Sequence, residues 1–295
     1  MVTETPAAEI EVDVELVRAL LRDQHPDLAS LTITPFEPGW DNMMFRLGRE
    51  LAVRLPRREL GAQLIVNEQR WLPGLADRLP LPVPAPLRIG DPGCGYPWRW
   101  SVVKWLPGGP ADLIRLRADQ ACVLAQFLKA LHVGAPADAP RNPYRGVPLE
   151  ARAAIVEDRM ARLEQKSALI SSDIRTLWKT ALDAPIDVGP TWIHGDLHPR
   201  NVLVESGRLS GVIDWGDVAQ GDCATDLASV WMLLPDPSAR RQSIDALARV
   251  SPATWRRARG WAILFGVTLL DTGLVSDCRN ATCGERVLQA LLDGP

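Results

Sequence analysis

Residues 191–228 read TWIHGDLHPRNVLVESGRLSGVIDWGDVAQGDCATDLA, and the interpretation of the whole chain starts from this stretch. Its short apolar runs are separated by Gly, Asp and Asn, which predicts strand, loop, strand, turn and strand. The apolar pairs Val202/Val204 and Val212/Ile213 flank a Glu-Ser-Gly turn, as in a hairpin. The flanking sequence has helical periodicity, so the stretch predicts a small sheet inside a helical region.

Four polar residues in this stretch have a spacing that suits phosphoryl transfer. Asp196 begins a loop, Asn201 follows five residues later, and Asp214 ends the next hairpin, eighteen residues after Asp196. Asp226 lies in the first turn of the next predicted helix. Phosphoryl transfer requires a carboxylate that accepts the proton of the acceptor hydroxyl, and hard oxygen ligands for magnesium. An amide oxygen and a carboxylate on adjacent strand ends fit such a magnesium site.

Three sequence blocks resemble a known family. They are HGDLHPRN at 194–201, IDWGD at 213–217 and GDCATDLA at 221–228. The first two have the spacing of the kinase catalytic loop, H-R-D-x-x-x-x-N, and its D-x-G metal loop. Together the blocks resemble the aminoglycoside-phosphotransferase family, relatives of choline kinase and of protein kinases. The rest of the chain matches that family in the order and length of its parts.

The resemblance implies a role for each matching residue of these blocks. Asp196 is the catalytic base, and Asn201 and Asp214 are the magnesium ligands. His194 and Asp226 are structural, and Asp226 braces the catalytic loop through backbone hydrogen bonds. The phosphoryl donor is ATP or GTP, bound with Mg²⁺, and the second substrate is a small hydroxylated molecule.

Nucleotide-binding residues are implied in the first third of the chain. Gly39 to Asn42 lie in the loop that covers the nucleotide, although the glycine-rich pattern of kinases is absent and only Gly39 is present. Arg54 stands where kinases carry a strand lysine, and Glu68 on the next helix is its expected partner. A guanidinium keeps its charge and presents a planar fork of donors, so phosphate binding is preserved. The hinge that meets the base consists of Val103, Lys104, Trp105 and Leu106.

The predicted fold is α+β and two-lobed, of the protein-kinase-like class. The N-lobe, 1–106, is a small antiparallel sheet with one or two helices. The Pro-Gly-Gly-Pro sequence at 107–110 is the clearest breaker in the chain and marks the linker. The C-lobe, 111–295, is mainly helical and carries the catalytic hairpin.

Composition and charge limit the classes of partner that we expect the protein to bind. The formal net charge is −3, so there is no basic excess with which to bind nucleic acid. The N-terminus is acidic and has no apolar core, which excludes a signal peptide. The longest apolar run, 261–270, is about half the length needed to cross a bilayer. We therefore expect a cytoplasmic enzyme without nucleic-acid or membrane partners, and the sequence does not indicate its oligomeric state.

The acceptor is left open by the sequence. An aminoglycoside, a macrolide or another antibiotic, a sugar, an amino alcohol or a metabolite all fit, with a role in antibiotic resistance or in metabolism. Residues 196–236 contain seven acidic side chains and two arginines, a local excess that would attract a polycationic antibiotic. Asp217 is the candidate substrate-binding residue among them, although an aspartate there can equally cap a turn.

Three rival functions are less favoured. His194 and His198 flank Asp196 as in a metallohydrolase, but few other histidines exist to complete such a site. In a protein kinase, the eleven residues between Asp214 and Asp226 would leave no room for an activation loop. A non-catalytic nucleotide-binding module is disfavoured because the proposed base and both magnesium ligands are intact.

Overall fold

The computed structural model describes residues 7–36 and 39–294, so positions 1–6 and 295 of the predicted lobes lie outside the described residues. The chain divides into two compact units. Within the described residues, the N-terminal unit comprises 7–78 and Pro82–Leu106. The C-terminal unit comprises Leu79–Leu81 and 107–294.

The N-terminal unit is a five-stranded antiparallel sheet with two helices. Its strand order is β1-β2-β3-β5-β4. The elements in chain order are α1 Val14–Gln24, β1 Ile33–Pro35, β2 Asn42–Leu47, β3 Leu51–Pro56, α2 Glu59–Ala76, β4 Pro86–Gly90 and β5 Trp100–Lys104.

The first helix illustrates how local sequence sets this unit. Asp13 caps α1, because its Oδ1 accepts a hydrogen bond from the Leu16 amide at 2.8 Å. The apolar stripe of α1 includes Val17 and Leu20, which are buried in a core shared with the sheet residue Trp100. Burial of this stripe, rather than helix propensity, stabilises so short a helix.

The C-terminal unit is mainly helical, with two small antiparallel sheets ordered β6-β8-β9 and β10-β7. Its strands are β6 Gly109–Pro110, β7 Thr191–Ile193, β8 Val202–Glu205, β9 Arg208–Val212 and β10 Ala219–Gly221. Its helices are α3 Ala121–Leu131, α4 Ala153–Glu164, α5 Ser172–Leu182, α6 Ala224–Leu227, α7 Ser229–Leu233, α8 Pro237–Ala246, α9 Pro252–Ser276 and α10 Cys278–Leu292.

The predicted linker at 107–110 differs from the structure in one respect. Gly109 and Pro110 form β6 and pair with Val204 and Leu203 of β8, so half of the linker belongs to the sheet that supports the catalytic loop. Proline is tolerated because this strand lies at the edge of its sheet. The breaker sequence thus ends the N-terminal unit and begins the next sheet.

Helix α9 is the long core helix of the C-terminal unit. It packs against α4, α5 and α10. By length and composition alone it could cross a membrane, since a window within residues 252–275 has a mean hydropathy of 1.3. However, 61% of that window is buried inside the protein, as in the core helix of a globular domain.

Close packing between α9 and α10 depends on Gly284. A Cβ at this position would lie 2.5 Å from the Leu270 amide nitrogen and 2.6 Å from the Gly266 carbonyl oxygen. These are backbone atoms that cannot rotate away, so Gly284→Ala must separate the two helices. We expect the free energy of unfolding to fall by about 3 kcal/mol, measured by thermal unfolding.

The matched control is Gly74→Ala in α2, where a Cβ meets no atom of the described residues within 4 Å. This change should leave stability unaltered or raise it by about 1 kcal/mol, because alanine is the better helix former. Equal effects of the two substitutions would contradict the importance of the close approach.

Candidate active site

The catalytic loop is held by Asp226, as the resemblance implied. The Asp226 carboxylate is fully buried and accepts hydrogen bonds from the amides of His194 at 2.7 Å and Gly195 at 2.9 Å. The His132 Nε2 at the end of α3 lies 3.3 Å from the same carboxylate. Two adjacent amides and a histidine ring, all distant from Asp226 in sequence, therefore interact with one carboxylate. This interaction fixes the position of the loop that follows β7.

His194 connects this loop to the end of β9. Its Nε2 is 3.0 Å from the Ile213 carbonyl oxygen, and its Nδ1 is 3.2 Å from the Asp196 amide nitrogen. These partners are both satisfied when the neutral ring carries its proton on Nε2. The imidazole also packs edge-on against Trp215, with the ring centroids 4.7 Å apart. His194 is therefore a structural residue, buried and fully hydrogen bonded.

Both carboxylate oxygens of Asp196 have polar neighbours. Arg145 Nη2 donates to Oδ1 at 2.8 Å. The His198 Nε2 and the Asn201 Nδ2 each lie 3.3 Å from Oδ2. The side chain remains 20% exposed, so an acceptor hydroxyl can reach it.

The charge state of Asp196 follows from these neighbours. Burial alone would raise the pKa of its carboxyl. The electrostatic and hydrogen-bond interactions with His198 and the positive charge of Arg145 outweigh burial and hold the pKa well below its usual range. Asp196 is consequently ionised at neutral pH, as a group that takes up a proton must be.

Asn201 and Asp214 are brought together by the register of the catalytic hairpin. Val202 of β8 pairs with Val212 of β9, and the Ile213 amide donates to the Asn201 carbonyl at 2.9 Å. Asn201, which precedes β8, therefore lies beside Ile213, and Asp214 is the next residue of the chain. Asp214 is exposed and adopts the left-handed conformation (φ 61°, ψ 67°), which a non-glycine residue rarely does outside a functional turn.

A third carboxylate near this pair allows a test of the magnesium assignment. Burial raises the pKa of Asp217, and the negative charges of Asp196 and Asp214 raise it further. A bound cation would relieve that repulsion, and carboxylates with an amide oxygen are the ligands that magnesium prefers. Among the described residues no group of three or more His, Cys, Asp or Glu forms a complete metal site. The carboxylate and amide chemistry suits magnesium, and the assignment of Asn201 and Asp214 as its ligands stays a prediction.

Asp217 has a second partner that the sequence did not indicate. Asn142 Nδ2 donates to its Oδ1 at 2.7 Å. The carboxylate therefore holds the loop at 141–147, and its contact with a cationic substrate stays a prediction.

The predicted ion pair of the N-terminal unit is formed. Arg54 Nη1 on β3 donates to Glu68 Oε2 on α2, and both side chains are buried. With its amide oxygen turned toward the guanidinium, Asn42 accepts from Arg54 Nη2 at 3.0 Å and from Nε at 3.3 Å. The Gly39 amide donates to the Asn42 carbonyl at 2.9 Å and closes the loop before β2. Four of the proposed nucleotide-binding residues are thus linked by a chain of hydrogen bonds.

The predicted hinge occupies the end of β5. Val103 is buried between Ala52 and Pro86, Lys104 is exposed, and Leu106 is the last residue of the unit. The Trp105 amide donates to the Glu50 carbonyl at 2.7 Å. Contact of these residues with a purine base stays a prediction.

Arg145 and Asn142 are site residues that sequence reasoning missed. Both belong to the loop RNPYRGV at 141–147, which carries no motif and no periodicity. The loop can be recognised only from its contacts with Asp196 and Asp217.

Arg257 is a further residue that the sequence did not reveal. It is buried on α9, and its Nε and Nη2 donate to the two Asp222 oxygens at 2.6 and 3.2 Å. This bidentate pair anchors the segment just before Asp226.

Comparison with known proteins was made against families, curated sequences and solved structures. A family model described as "Phosphotransferase enzyme family", APH, matches residues 32–261. Viomycin phosphotransferase of Streptomyces vinaceus is 46% identical over 54 residues, covering 17% of this chain and 19% of that protein. Thiamine kinase of Salmonella typhi is 34% identical over 92 residues, covering 30% and 32%. The matches span about a fifth and about a third of these relatives.

Solved structures match over nearly the full length. The GDP complex of wild-type aminoglycoside 2'-phosphotransferase-IIIa has a TM-score of 0.66 at 18% identity, covering 96% of this chain and 100% of that one. The macrolide 2'-phosphotransferase MphH from Brachybacterium faecium has a TM-score of 0.56 at 22% identity, covering 96% and 98%. At these identities the likeness establishes the fold, and the predicted α+β kinase-like class is confirmed.

The family model covers well over half of the chain and includes all three motif blocks. The similarity in fold agrees with the family match, although the sequence identity to the solved structure is only 18%. The resemblance seen in the motifs is therefore confirmed, and the chain belongs to the phosphotransferase enzyme family.

Proposed function

We propose that this protein transfers the γ-phosphoryl group of ATP or GTP to a hydroxyl group of a small molecule. The observation that carries the proposal is the arrangement on the catalytic hairpin. Asp196 is ionised and accessible, and the hairpin register places Asn201 beside Ile213, the residue before Asp214. Family membership and the names of the relatives, which phosphorylate antibiotics or thiamine, agree with this reaction class.

Asp196 is the residue that would act on the acceptor. Its carboxylate accepts a hydrogen bond from the acceptor hydroxyl and takes the proton as the hydroxyl oxygen bonds to the γ-phosphorus. The bond from that phosphorus to the bridging oxygen breaks, and the nucleoside diphosphate leaves with the electron pair. Because the transition state of phosphoryl transfer is loose, the main contribution of Asp196 is orientation of the hydroxyl.

The remaining residues would bind and position the donor. In the N-terminal unit, Arg54 is held by Glu68 and would bind nucleotide phosphates through its fork of donors. In the C-terminal unit, Asn201 and Asp214 would hold magnesium, which when bound neutralises charge on the phosphates. Structural neighbours were solved with GDP and with ADP, which supports a nucleotide as donor.

The experiment that tests the proposal measures nucleoside diphosphate release from ATP and from GTP, with and without magnesium. A panel of hydroxylated acceptors should include aminoglycosides, a macrolide, viomycin, thiamine, sugars and amino alcohols. We expect magnesium-dependent release that rises with one class of acceptor, and a product that has gained one phosphoryl group by mass.

A nucleotide thermal shift separates the remaining cases. Stabilisation by nucleotide and magnesium without release by any acceptor would favour the alternative, a non-catalytic nucleotide-binding module. The absence of any shift would contradict both functions.

A further inference from the structure

The loop at 141–147 is built onto the catalytic residues. Asn142 donates to Asp217 at 2.7 Å, and the Gly146 amide donates to Thr225 Oγ1 at 3.1 Å. Gly146 has φ 66°, and a Cβ there would lie 2.5 Å from Ile193 Cδ1. Glycine is therefore required where the loop passes β7, and the loop's position beside Asp196 follows from the packing.

Arg145 extends from this loop to the catalytic base. Besides its hydrogen bond to Asp196, its guanidinium lies over the ring of Phe265, 4.9 Å from the centroid. Its Nε is buried and has no hydrogen-bond partner in the described part of the chain. The side chain thus places a positive charge where an acceptor hydroxyl must approach.

Arg152 adds a second positive charge beside the first. It packs over Tyr144, with 5.3 Å from the guanidinium carbon to the ring centroid, and is half-buried. Burial lowers its pKa, and the charge of Arg145 lowers it further. Because Tyr144 directly precedes Arg145, both guanidiniums lie at the loop 141–147. No carboxylate of residues 7–36 or 39–294 forms an ion pair with Arg152, and its buried Nε has no partner there.

Nearby acidic groups are already neutralised by other cations. On α9, Asp271 is paired with Arg159 at 3.1 Å and with Arg162 at 2.7 Å. On α4, Glu157 is paired with Arg175 and Asp158 with Arg162. The acidic residues on these helices therefore do not offset Arg152.

Two guanidiniums at one loop favour an anionic ligand when, among the described residues, only Arg145 has a carboxylate partner. A guanidinium binds the planar oxygen pair of a carboxylate or two oxygens of a phosphate better than any neutral group. A polycation at the same place would be repelled by both arginines. We propose that the acceptor carries an oxyanion, a carboxylate or a phosphate, which Arg152 binds together with Arg145 while Asp196 receives the hydroxyl. This inference rests on the proposed phosphotransferase function.

The test uses acceptors that differ only in charge at one carbon. The sugar set comprises glucose, glucuronate, glucose 6-phosphate and 6-amino-6-deoxyglucose, and the short set comprises glycerol, glycerate, glycerol phosphate and 3-aminopropane-1,2-diol. Diphosphate release is measured for wild type, Arg152→Gln and the control Arg99→Gln. The control removes the same charge from an exposed ion pair with Asp91 in the N-terminal unit.

Wild type should use an anionic member at least about tenfold better, in kcat/KM, than its neutral and cationic counterparts. Arg152→Gln should bring the ratio of anionic to neutral acceptor toward one, mainly through KM, while Arg99→Gln keeps the wild-type ratio. Preference for a carboxylate or for a phosphate identifies the oxyanion. Preference for neutral or cationic members, or an unchanged ratio in Arg152→Gln, would overturn the inference.

If no compound of either set is phosphorylated, a binding measurement tests the inference. The same compounds are tested for a shift in Tm with nucleoside diphosphate and magnesium present. A shift by anionic members that Arg152→Gln abolishes supports the inference, and no shift by any anionic member overturns it. Failure of the proposed function is distinct, since it removes the Tm shift caused by the nucleotide itself.

Discussion

Asp196→Asn is expected to lower kcat by about 10³-fold, since a positioned general base contributes about 10²- to 10⁴-fold. The amide has the same shape as the carboxylate but cannot take a proton. It also gives up the negative charge that pairs with Arg145 and His198. The substitution therefore removes the acceptor of the hydroxyl proton without creating a cavity. The measurement is diphosphate release at saturating nucleotide, with the best acceptor found for the wild type.

The control for this prediction is Asp119→Asn, which makes the same chemical change in an exposed ion pair with Arg117. It should keep wild-type kcat. The Tm shift caused by nucleotide and magnesium should persist in Asp196→Asn, because the assigned magnesium ligands are untouched. Activity of Asp196→Asn within about threefold of wild type would show that the hydroxyl proton leaves by another route, because a threefold loss is less than general-base catalysis contributes.

Much of the catalytic hairpin could be predicted because its function depends on local spacing. Register in a hairpin follows from the turn, so the positions of Asn201 and Asp214 in sequence imply their proximity. The ion pair between Arg54 and Glu68 was predictable for a similar reason, since a strand and the helix that follows it pack together.

Other features depend on packing that no local pattern records. Residues 224–234 form two short helices, α6 and α7, instead of one. Every residue of that segment is buried, so no polar face exists to show where the helix breaks. The loop that contains Arg145 is a second feature that no local pattern predicts, and it lies at the candidate active site. Its role comes from contacts with Asp196, which lies 51 residues later in the chain.

Asp226→Ala is expected to combine a large loss of stability with a large loss of activity. The substitution leaves the amides of His194 and Gly195 buried without an acceptor, and it removes the partner of His132 Nε2. Each buried donor that loses its partner costs about 1–3 kcal/mol. We expect the free energy of unfolding to fall by about 4 kcal/mol. Chemical and thermal unfolding experiments measure this change.

Activity should fall in the same variant even well below its unfolding temperature. The loop from His194 to Asp196 loses the anion that fixes it, and a displacement of about 1 Å can lower a rate about 10²-fold. The activity of Asp226→Asn should lie between those of wild type and Asp226→Ala, because the single amide oxygen can accept hydrogen bonds from only some of the donors.

Ser229→Ala is the matched control, three residues further along the same buried segment. The Ser229 hydroxyl is buried and has no hydrogen-bond partner among the described residues. Its removal abolishes a desolvation penalty and should leave stability equal or slightly higher. If both alanine variants changed stability equally, the cost would come from burial of the segment in general. A cost confined to Asp226→Ala, together with lost activity, would assign the order of the catalytic loop to this one carboxylate.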